Sequence, residues 1–367
     1  MGMAVGGRGK GRVLFALLLC GGCGVPGTTE TPASTASETA AIKYRCPDPT
    51  TDCTMSNGTG VYTAEDGQAY IDDTLQAMIT SFHNTGSAVT FQARYYEASS
   101  QRWLMLPAPG TIRWADYAGA TNLQVHSVTE TATVPTWVLE DANGAAIDVT
   151  GKELVNLQLH LDFADPDTGK LRMYVIGFNP VQYETGAHWL YKYPMYWRLD
   201  GNPATTNQPY CYDENGKVDP VVFQRGIAVN PTTAVVTRDA TTADTVTLSC
   251  RLGGIATVYW WGYPYLTGSI YFYAAGLQMK RASYCADSNH YTIAGTHIRI
   301  DDSAGIQSDP IDDVEAYWTP AGATCIGLRR HPEIPFSGKC NGVALPSCPT
   351  IAARQAEGGV WLADGVD

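Results

Sequence analysis

The chain has 367 residues, of which 16% are charged, and its formal net charge at pH 7 is −12. An acidic chain without later basic clusters is a poor match for a phosphate backbone, so we expect no nucleic-acid partner. The length fits either one large β domain or two smaller domains.

The first residues have the pattern of an export signal. Arg8, Lys10 and Arg12 precede an apolar run over residues 13–19, and no acidic residue lies among them. This order of charge and apolarity is typical of a signal peptide, and the run is too short to span a bilayer. We therefore expect residues 1–22 to be removed from the mature protein.

The end of this signal predicts a lipid anchor on Cys23. Residues 18–23 read Leu-Leu-Cys-Gly-Gly-Cys and resemble a bacterial lipobox, in which small residues precede the acylated cysteine. Cys23 follows two glycines, whereas Cys20 follows Leu19 and fits less well. The alternative is an ordinary secretory signal that is cut after a small residue.

The composition after Cys23 agrees with a lipid anchor. Residues 23–43 are rich in Gly, Pro, Ser and Thr, which predicts a disordered tether. The membrane is then a partner through the lipid, and we expect a location at the bacterial outer membrane or cell surface. A periplasmic or secreted protein is the alternative.

Cysteine usage predicts disulfide bonds in an oxidising compartment. Ten cysteines are present, and eight remain if Cys20 leaves with the signal and Cys23 is acylated. Short loops closed by Cys46 with Cys53, or by Cys340 with Cys348, are possible, but the spacing does not decide the pairing. The candidates are Cys46, Cys53, Cys211, Cys250, Cys285, Cys325, Cys340 and Cys348.

Most of the remaining pattern is typical of antiparallel strands. Apolar and polar residues alternate over residues 89–95, 154–161, 171–176 and 246–250, and turn formers such as Asn143-Gly144 separate such runs. Helical spacing is found over residues 70–82, 269–284 and 310–317, the last after a candidate cap at Asp309. We predict a mainly β fold, sandwich- or barrel-like, with a few short helices and disulfide stabilisation.

A family resemblance appears in the second half of the chain. Residues 281–301, Arg-Ala-Ser-Tyr-Cys-Ala-Asp-Ser-Asn-His-Tyr-Thr-Ile-Ala-Gly-Thr-His-Ile-Arg-Ile-Asp, resemble the signature of ADYC-domain proteins, a family of exported bacterial proteins without an assigned activity. The flanking matches are Cys211-Tyr-Asp-Glu-Asn-Gly, Leu248-Ser-Cys250, Trp261-Gly-Tyr-Pro264 and Tyr317-Trp-Thr-Pro-Ala-Gly-Ala-Thr-Cys325.

This resemblance suggests how the chain is divided. We expect an N-terminal β region over residues 44–204, an ADYC-like domain over residues 205–350 and a C-terminal tail over residues 351–367. Two departures matter: Ser283 replaces the acidic residue of the signature, and cysteines that the resemblance implies near residues 256–258 and 275 are absent. The joint absence of both cysteines is what the loss of one disulfide would produce, because a single orphan thiol would be reactive.

Three groups of residues have both a functional and a structural interpretation. Cys285 with His290 and His297 has the residue types of a thiol hydrolase, but a disulfide at Cys285 is the favoured interpretation. The acids at positions 301, 302, 309, 312 and 313, and those at 162, 165 and 167, have residue types that bind calcium, although capping and turn roles explain them better. We assign no catalytic residue, no metal and no cofactor.

Two aromatic clusters, residues 188–197 and 259–265, also have both a functional and a structural interpretation. Exposed tyrosines and tryptophans would suit a glycan-binding face, whereas a core role is favoured for aromatics on strands. The sequence therefore predicts a binding or structural module of the cell envelope whose protein or glycan partner is unknown. A secreted hydrolase with an uncatalogued site and a glycan-binding domain are the alternatives.

Overall fold

The structure is a computed structural model that describes residues 60–63, 69–72, 75–184, 190–213, 216–265 and 270–366. The expected signal peptide, the lipidation at Cys23, the tether, and Cys46 and Cys53 lie outside the described residues. No helix in the described part of the chain is both long and apolar enough to cross a membrane.

Nine strands form the first half of the described chain. They are β1 (Ala77–Asn84), β2 (Val89–Glu97), β3 (Arg102–Met105), β4 (Gly110–Tyr117), β5 (Ala120–Thr131), β6 (Val134–Glu140), β7 (Ala146–Thr150), β8 (Leu157–Ala164) and β9 (Leu171–Phe178). A 3₁₀ turn, Gly151–Asn156, precedes β8, so the expected strand over residues 154–161 begins three residues later than predicted.

Ten further strands follow, several of them only two residues long. They are β10 (Gln182–Glu184), β11 (Leu190–Lys192), β12 (Met195–Leu199), β13 (Gln208–Pro209), β14 (Cys211–Tyr212), β15 (Val218–Asp219), β16 (Val221–Arg225), β17 (Ala228–Val229), β18 (Val236–Thr237) and β19 (Thr245–Cys250). A second 3₁₀ turn, Ala204–Thr206, precedes β13.

The last third of the chain contains three helices and six strands. The helices are α1 (Gly254–Trp260), α2 (Tyr271–Arg281) and α3 (Ile351–Glu357). The strands are β20 (Arg299–Asp302), β21 (Val314–Thr319), β22 (Gly322–Ala323), β23 (Lys339–Cys340), β24 (Val343–Ala344) and β25 (Leu362–Gly365).

A curled antiparallel sheet of 13 strands dominates the fold, which confirms the mainly β prediction. Its main path runs β13-β12-β9-β8-β4-β2-β1-β19-β16, with β3 beside β2 and the strands β5, β6 and β7 continuing from β4. Strands from both sides of residue 205 share this sheet, so the N-terminal β region and the ADYC-like segment are joined by backbone hydrogen bonds.

A second sheet of four strands has the order β20-β25-β21-β22. Helix α2 packs against β21, β22 and β25, while α1 contacts both α2 and β19 of the large sheet. The two helices therefore connect the two sheets, and one apolar core extends from β1 to the C-terminal strand. All of these elements lie in one compact unit that spans residues 40–367.

Two of the three predicted helices are wrong. Residues 77–84 form β1, and residues 314–319 form β21 after an irregular segment. The first six residues of β1 and the first five of β21 are all buried, so neither strand shows the alternation by which strands are recognised. The remaining prediction, a helix over residues 269–284, is confirmed, because α2 occupies Tyr271–Arg281 within this range.

Two glycines of the large sheet lie opposite aromatic rings on neighbouring strands. Gly110 pairs with Phe91, and Gly177 pairs with Tyr196. In both pairs the ring covers the glycine, so an added Cβ atom would overlap it. This aromatic cover restores apolar contact over a residue that has no side chain.

We predict that Gly110→Ala destabilises the protein more than Gly177→Ala. Phe91 is fully buried and has no space into which to move, whereas Tyr196 is half-buried and its ring end can shift. We expect Gly110→Ala to lower the free energy of unfolding by about 1–3 kcal/mol and Gly177→Ala by about 1 kcal/mol or less. Urea unfolding of both variants measures the difference, and equal losses would contradict the ring-cover explanation.

Candidate functional site

A buried carboxyl group forms the floor of a cleft beside the large sheet. Glu130 lies near the end of β5, and the turn that follows has positive φ at Ala132 and Thr133, as two-residue hairpin turns require. The backbone N–H of Thr133 donates to one carboxyl oxygen. The other oxygen accepts from the backbone N–H of Arg225 at 2.8 Å and from the Tyr265 hydroxyl at 2.7 Å.

These bonds act against the effect of burial on the charge of Glu130. Burial raises the pKa of this carboxyl group, because desolvation penalises the ionised form. The Tyr265 hydroxyl and the backbone N–H groups of Arg225 and Thr133 lower the pKa, yet desolvation prevails. A buried carboxyl group with a raised pKa at the base of a cleft is a recognised mark of functional sites.

The cleft above Glu130 has a volume of about 470 Å³ and is open to solvent. The residues that line it with Glu130 are Arg225, Gly226, Arg238, Asp239 and Ala243. Arg225 donates from Nε to the Ala243 carbonyl at 3.0 Å, and its side chain remains about one-third exposed. Two arginines and two acidic residues, Glu130 and Asp239, therefore line the cleft, and Arg225 also lies 3.8 Å from Asp244.

The signature segment begins where α2 ends. Ala282 adopts a left-handed conformation at φ 48°, and the N–H of Ser283 donates to the Gln278 carbonyl at 2.9 Å, which closes the helix. Ser283, which replaces the acidic residue of the signature, is fully buried. The next residue, Tyr284, accepts at its carbonyl from the N–H of Ala323, so the signature attaches the helix end to β22.

The Tyr284 side chain reaches a buried ionic network. Its hydroxyl donates to Glu315, and Arg330 donates to the same carboxylate from Nε at 2.7 Å. Arg330 also donates to Asp364, which in addition accepts from Trp318 Nε1 at 2.7 Å. The side chains of Glu315 and Arg330 have no exposed area, and Asp364 is fully buried.

A β-bulge explains why Glu315 points inward. The register of β21 against β25 shifts between Val314 and Ala316, so Glu315 lies at the irregularity. Two carboxyl groups then share one guanidinium group, which leaves one negative charge in excess. Burial, and next the charge of Glu315, raises the pKa of Asp364 well above its usual value.

The described cysteines form three disulfides, Cys211–Cys250, Cys285–Cys340 and Cys325–Cys348. The short loop from Cys340 to Cys348 is therefore not closed by a bond between these two residues. Cys285 has no thiol to act as a nucleophile, which removes the basis of the hydrolase candidate. His290 is exposed and His297 is half-buried, and His297 precedes β20 instead of lying on a strand.

The acidic clusters are held by their own loops. Asp302 accepts from the N–H groups of Ala304, Ile306 and Gln307 and from the Tyr263 hydroxyl. Asp309 caps no helix; it accepts from the N–H of Ile300. Among the described residues, no group of three or more His, Cys, Asp or Glu side chains is arranged to hold a metal ion.

The second acidic cluster has the same explanation. Asp165 accepts from the N–H groups of Asp167 and Thr168 and from Arg172 Nε at 2.7 Å. Arg172 also forms an ion pair with Asp72. The turn and the ion pairs therefore use the oxygens that a calcium ion would need.

Both aromatic clusters lie mainly inside the molecule, as the core interpretation predicts. In the described part of the first cluster, Tyr193 and Trp197 are buried, and in the second cluster Tyr263 and Tyr265 are fully buried. The Tyr265 ring packs 5.4 Å from Tyr259 between ring centres. The described residues of these clusters therefore offer no broad exposed aromatic face for a sugar.

The absent cysteine pair falls on two helices that pack together. Residues 256–258 belong to α1 and residue 275 to α2, and a side chain at Gly276 would collide with Val258 of α1. A disulfide between these positions would link α1 to α2. In this chain the two helices are held by close packing of a glycine against a β-branched residue.

The cleft was missed by sequence reasoning. Glu130 occurs in an alternating strand, and no local motif marks its carboxyl group as buried. Its partners Arg225 and Tyr265 are 95 and 135 residues away along the chain. Only the three-dimensional pairing of distant segments reveals the site.

We predict that Tyr265→Phe weakens the floor of the cleft. The variant keeps the ring but removes the hydroxyl donor, so the pKa of Glu130 should rise further and the free energy of unfolding should fall by about 1–2 kcal/mol. Urea unfolding and carboxyl titration by NMR test this, with Tyr96→Phe on β2 as the control. An unchanged titration of Glu130 would contradict the assigned bond.

We predict a distinctive pH dependence from Asp364. Because its pKa is raised in the folded state, its contribution to stability is full below the pKa of unfolded aspartate and is lost as the pH rises through the folded pKa. As the pH rises above about 4, the wild-type free energy of unfolding should therefore fall more steeply than that of Asp364→Asn. Parallel profiles would contradict this, and Asp148→Asn, exposed on β7, is the control.

Comparison with known proteins gives one match. A family model described as the ADYC domain matches residues 151–332, which extend from the 3₁₀ turn before β8 to just beyond Arg330. No curated protein and no solved structure matches the chain. The matched segment contains the signature, Glu315, Arg330 and the two arginines of the cleft. The chain therefore contains an ADYC domain over these residues.

Proposed function

We propose that the protein is an exported, lipid-anchored binding module of the bacterial cell envelope. The basic and apolar start of the chain, the two glycines before Cys23 and the tether-like composition of residues 23–43 support export and anchoring. The three described disulfides support an oxidising compartment.

The cleft over Glu130 is the observation that supports a binding role. Its volume of about 470 Å³ is in the range of small-molecule sites. Its floor is fixed by backbone donors from β16 and from the β5–β6 turn, so the carboxyl group is held in place before a ligand arrives. A preformed site loses little conformational entropy on binding.

The cleft is lined by two arginines and two acids, which favours a small ligand that carries both a carboxylate or phosphate group and a hydrogen-bond donor. Arg225 and Arg238 supply guanidinium donors for the anionic end. The Glu130 carboxyl oxygens, which are hydrogen-bond acceptors, suit a hydroxyl group at the other end. Binding without turnover also agrees with Cys285 being in a disulfide.

The anchor is tested by metabolic labelling with a palmitate analogue. We expect label on the wild type and on Cys20→Ser, and none on Cys23→Ser, because the acyl chain is attached to the cysteine at position 23. Label that persists in Cys23→Ser would contradict the assigned site.

The binding role is tested on purified protein with a panel of acidic sugars and acidic dipeptides. We expect at least one compound to raise the melting temperature of the wild type, and Arg238→Ala to weaken its affinity about tenfold or more through loss of a charge-assisted bond. Arg102→Ala, exposed on β3, is the matched control. Binding that is unaffected by Arg238→Ala would exclude the cleft, and measurable conversion of a compound would exclude a pure binding module.

A further inference from the structure

The strand β25 lies within the smaller sheet, between β20 and β21. It pairs with β20 through Ile300–Asp364 and Asp302–Leu362, and with β21 through Ala316–Asp364. Its four residues are all buried, and Trp361 before it is 4% exposed. Without β25, the space between β20 and β21 would be a slot with unpaired backbone groups on both sides.

The strand reaches this slot through a segment without a fully buried side chain in its helix, although Ile351 packs against the apolar cluster of Trp361 and Arg354 lies over the Tyr317 ring. Cys348 is the last residue held by a disulfide, and helix α3, which follows it, has no buried residue. Gly358 and Gly359 then take positive φ values of 73° and 88°, with open space around them. The eleven residues at 349–359 span about 36 Å when extended, so the strand can leave the slot without breaking a disulfide.

The charge of the slot makes the resident strand an imperfect occupant. Arg330 and Glu315 form a one-to-one pair that belongs to the slot. The arrival of Asp364 adds a second carboxyl group beside Glu315, although Trp318 and Arg330 both donate to it. A neutral residue at this position would keep the hydrogen bond from Trp318 and avoid burying the extra charge.

We propose that the slot between β20 and β21 is a strand-binding site, that residues 360–366 are its exchangeable occupant, and that a second copy of the chain supplies the strand in trans. Main-chain pairing on both sides provides affinity, and the pockets for Leu362 and Asp364 provide specificity. A second copy is the matching partner because its strand is identical and its linker is long enough to cross to a neighbouring molecule.

The first experiment uses the full-length folded protein with a specific protease site placed in exposed helix α3. After cleavage, the resident peptide is held only by the slot, and a fluorescent synthetic peptide of residues 358–367 is added. We expect the label to replace the resident, and the Asp364→Asn peptide to bind about tenfold more tightly than the wild-type peptide. A Leu362→Asp peptide is the control and should not bind.

Three results would overturn the strand-binding site. They are retention of the resident peptide without any uptake of label, uptake of the Leu362→Asp peptide equal to that of the wild-type peptide, and equal affinity of the wild-type and Asp364→Asn peptides. Circular dichroism of the cleaved protein verifies that it remains folded, so failure of exchange is not confused with unfolding.

The second experiment tests the partner with uncleaved chains. Two preparations with different affinity tags are incubated together at high concentration and separated by size. We expect dimers that contain both tags, and loss of these dimers when Leu362→Asp is present in both preparations. Persistence of mixed dimers in that variant, or an exclusively monomeric wild type, would overturn exchange between copies.

Discussion

The buried bond between Arg330 and Glu315 is the constraint on which the second half of the fold depends. A guanidinium group without exposed area is tolerated only when carboxylates surround it, and removal of one partner leaves a buried charge that costs about 3–5 kcal/mol. Glu315 lies at the bulge in β21, Tyr284 follows the end of α2, and Asp364 lies on β25. The Tyr284 hydroxyl donates to Glu315, and Arg330 donates to both Glu315 and Asp364. The position of these three elements is therefore fixed by one electrostatic requirement as well as by apolar packing.

The signature of the family is explained by the same network. Tyr284 lies between the helix cap and Glu315, and its ring stacks on Trp318 with centres 5.5 Å apart. Cys285 then fastens the segment to Cys340. The tyrosine and the cysteine thus have structural roles in this chain, and the serine in place of the acidic residue is accommodated because position 283 takes no part in the ionic contacts that surround Glu315.

Sequence reasoning identified strands where residue types alternate along the chain, even where the strand is buried throughout, as in β19. Strands β2, β9 and β19 were predicted, β2 from alternation that the burial pattern partly repeats. Strands β1 and β21 were mistaken for helices, because a strand buried on both sides can match a helical spacing by chance. The disulfide pairs and the Glu130 cleft depend on contacts across 23 to 135 residues, which a local pattern does not encode.

The two buried carboxyl groups, Glu130 and Asp364, lie in different surroundings. Glu130 accepts from three donors of the protein itself, and it lines a cleft that is open to solvent. Asp364 accepts from donors within the core, and its strand follows two glycines, Gly358 and Gly359, that have positive φ values. Burial raises the pKa of both carboxyl groups, because desolvation penalises the ionised form. The two sites differ in their surroundings, because the Glu130 side chain lines a cleft that is open to solvent, whereas Asp364 lies inside the smaller sheet.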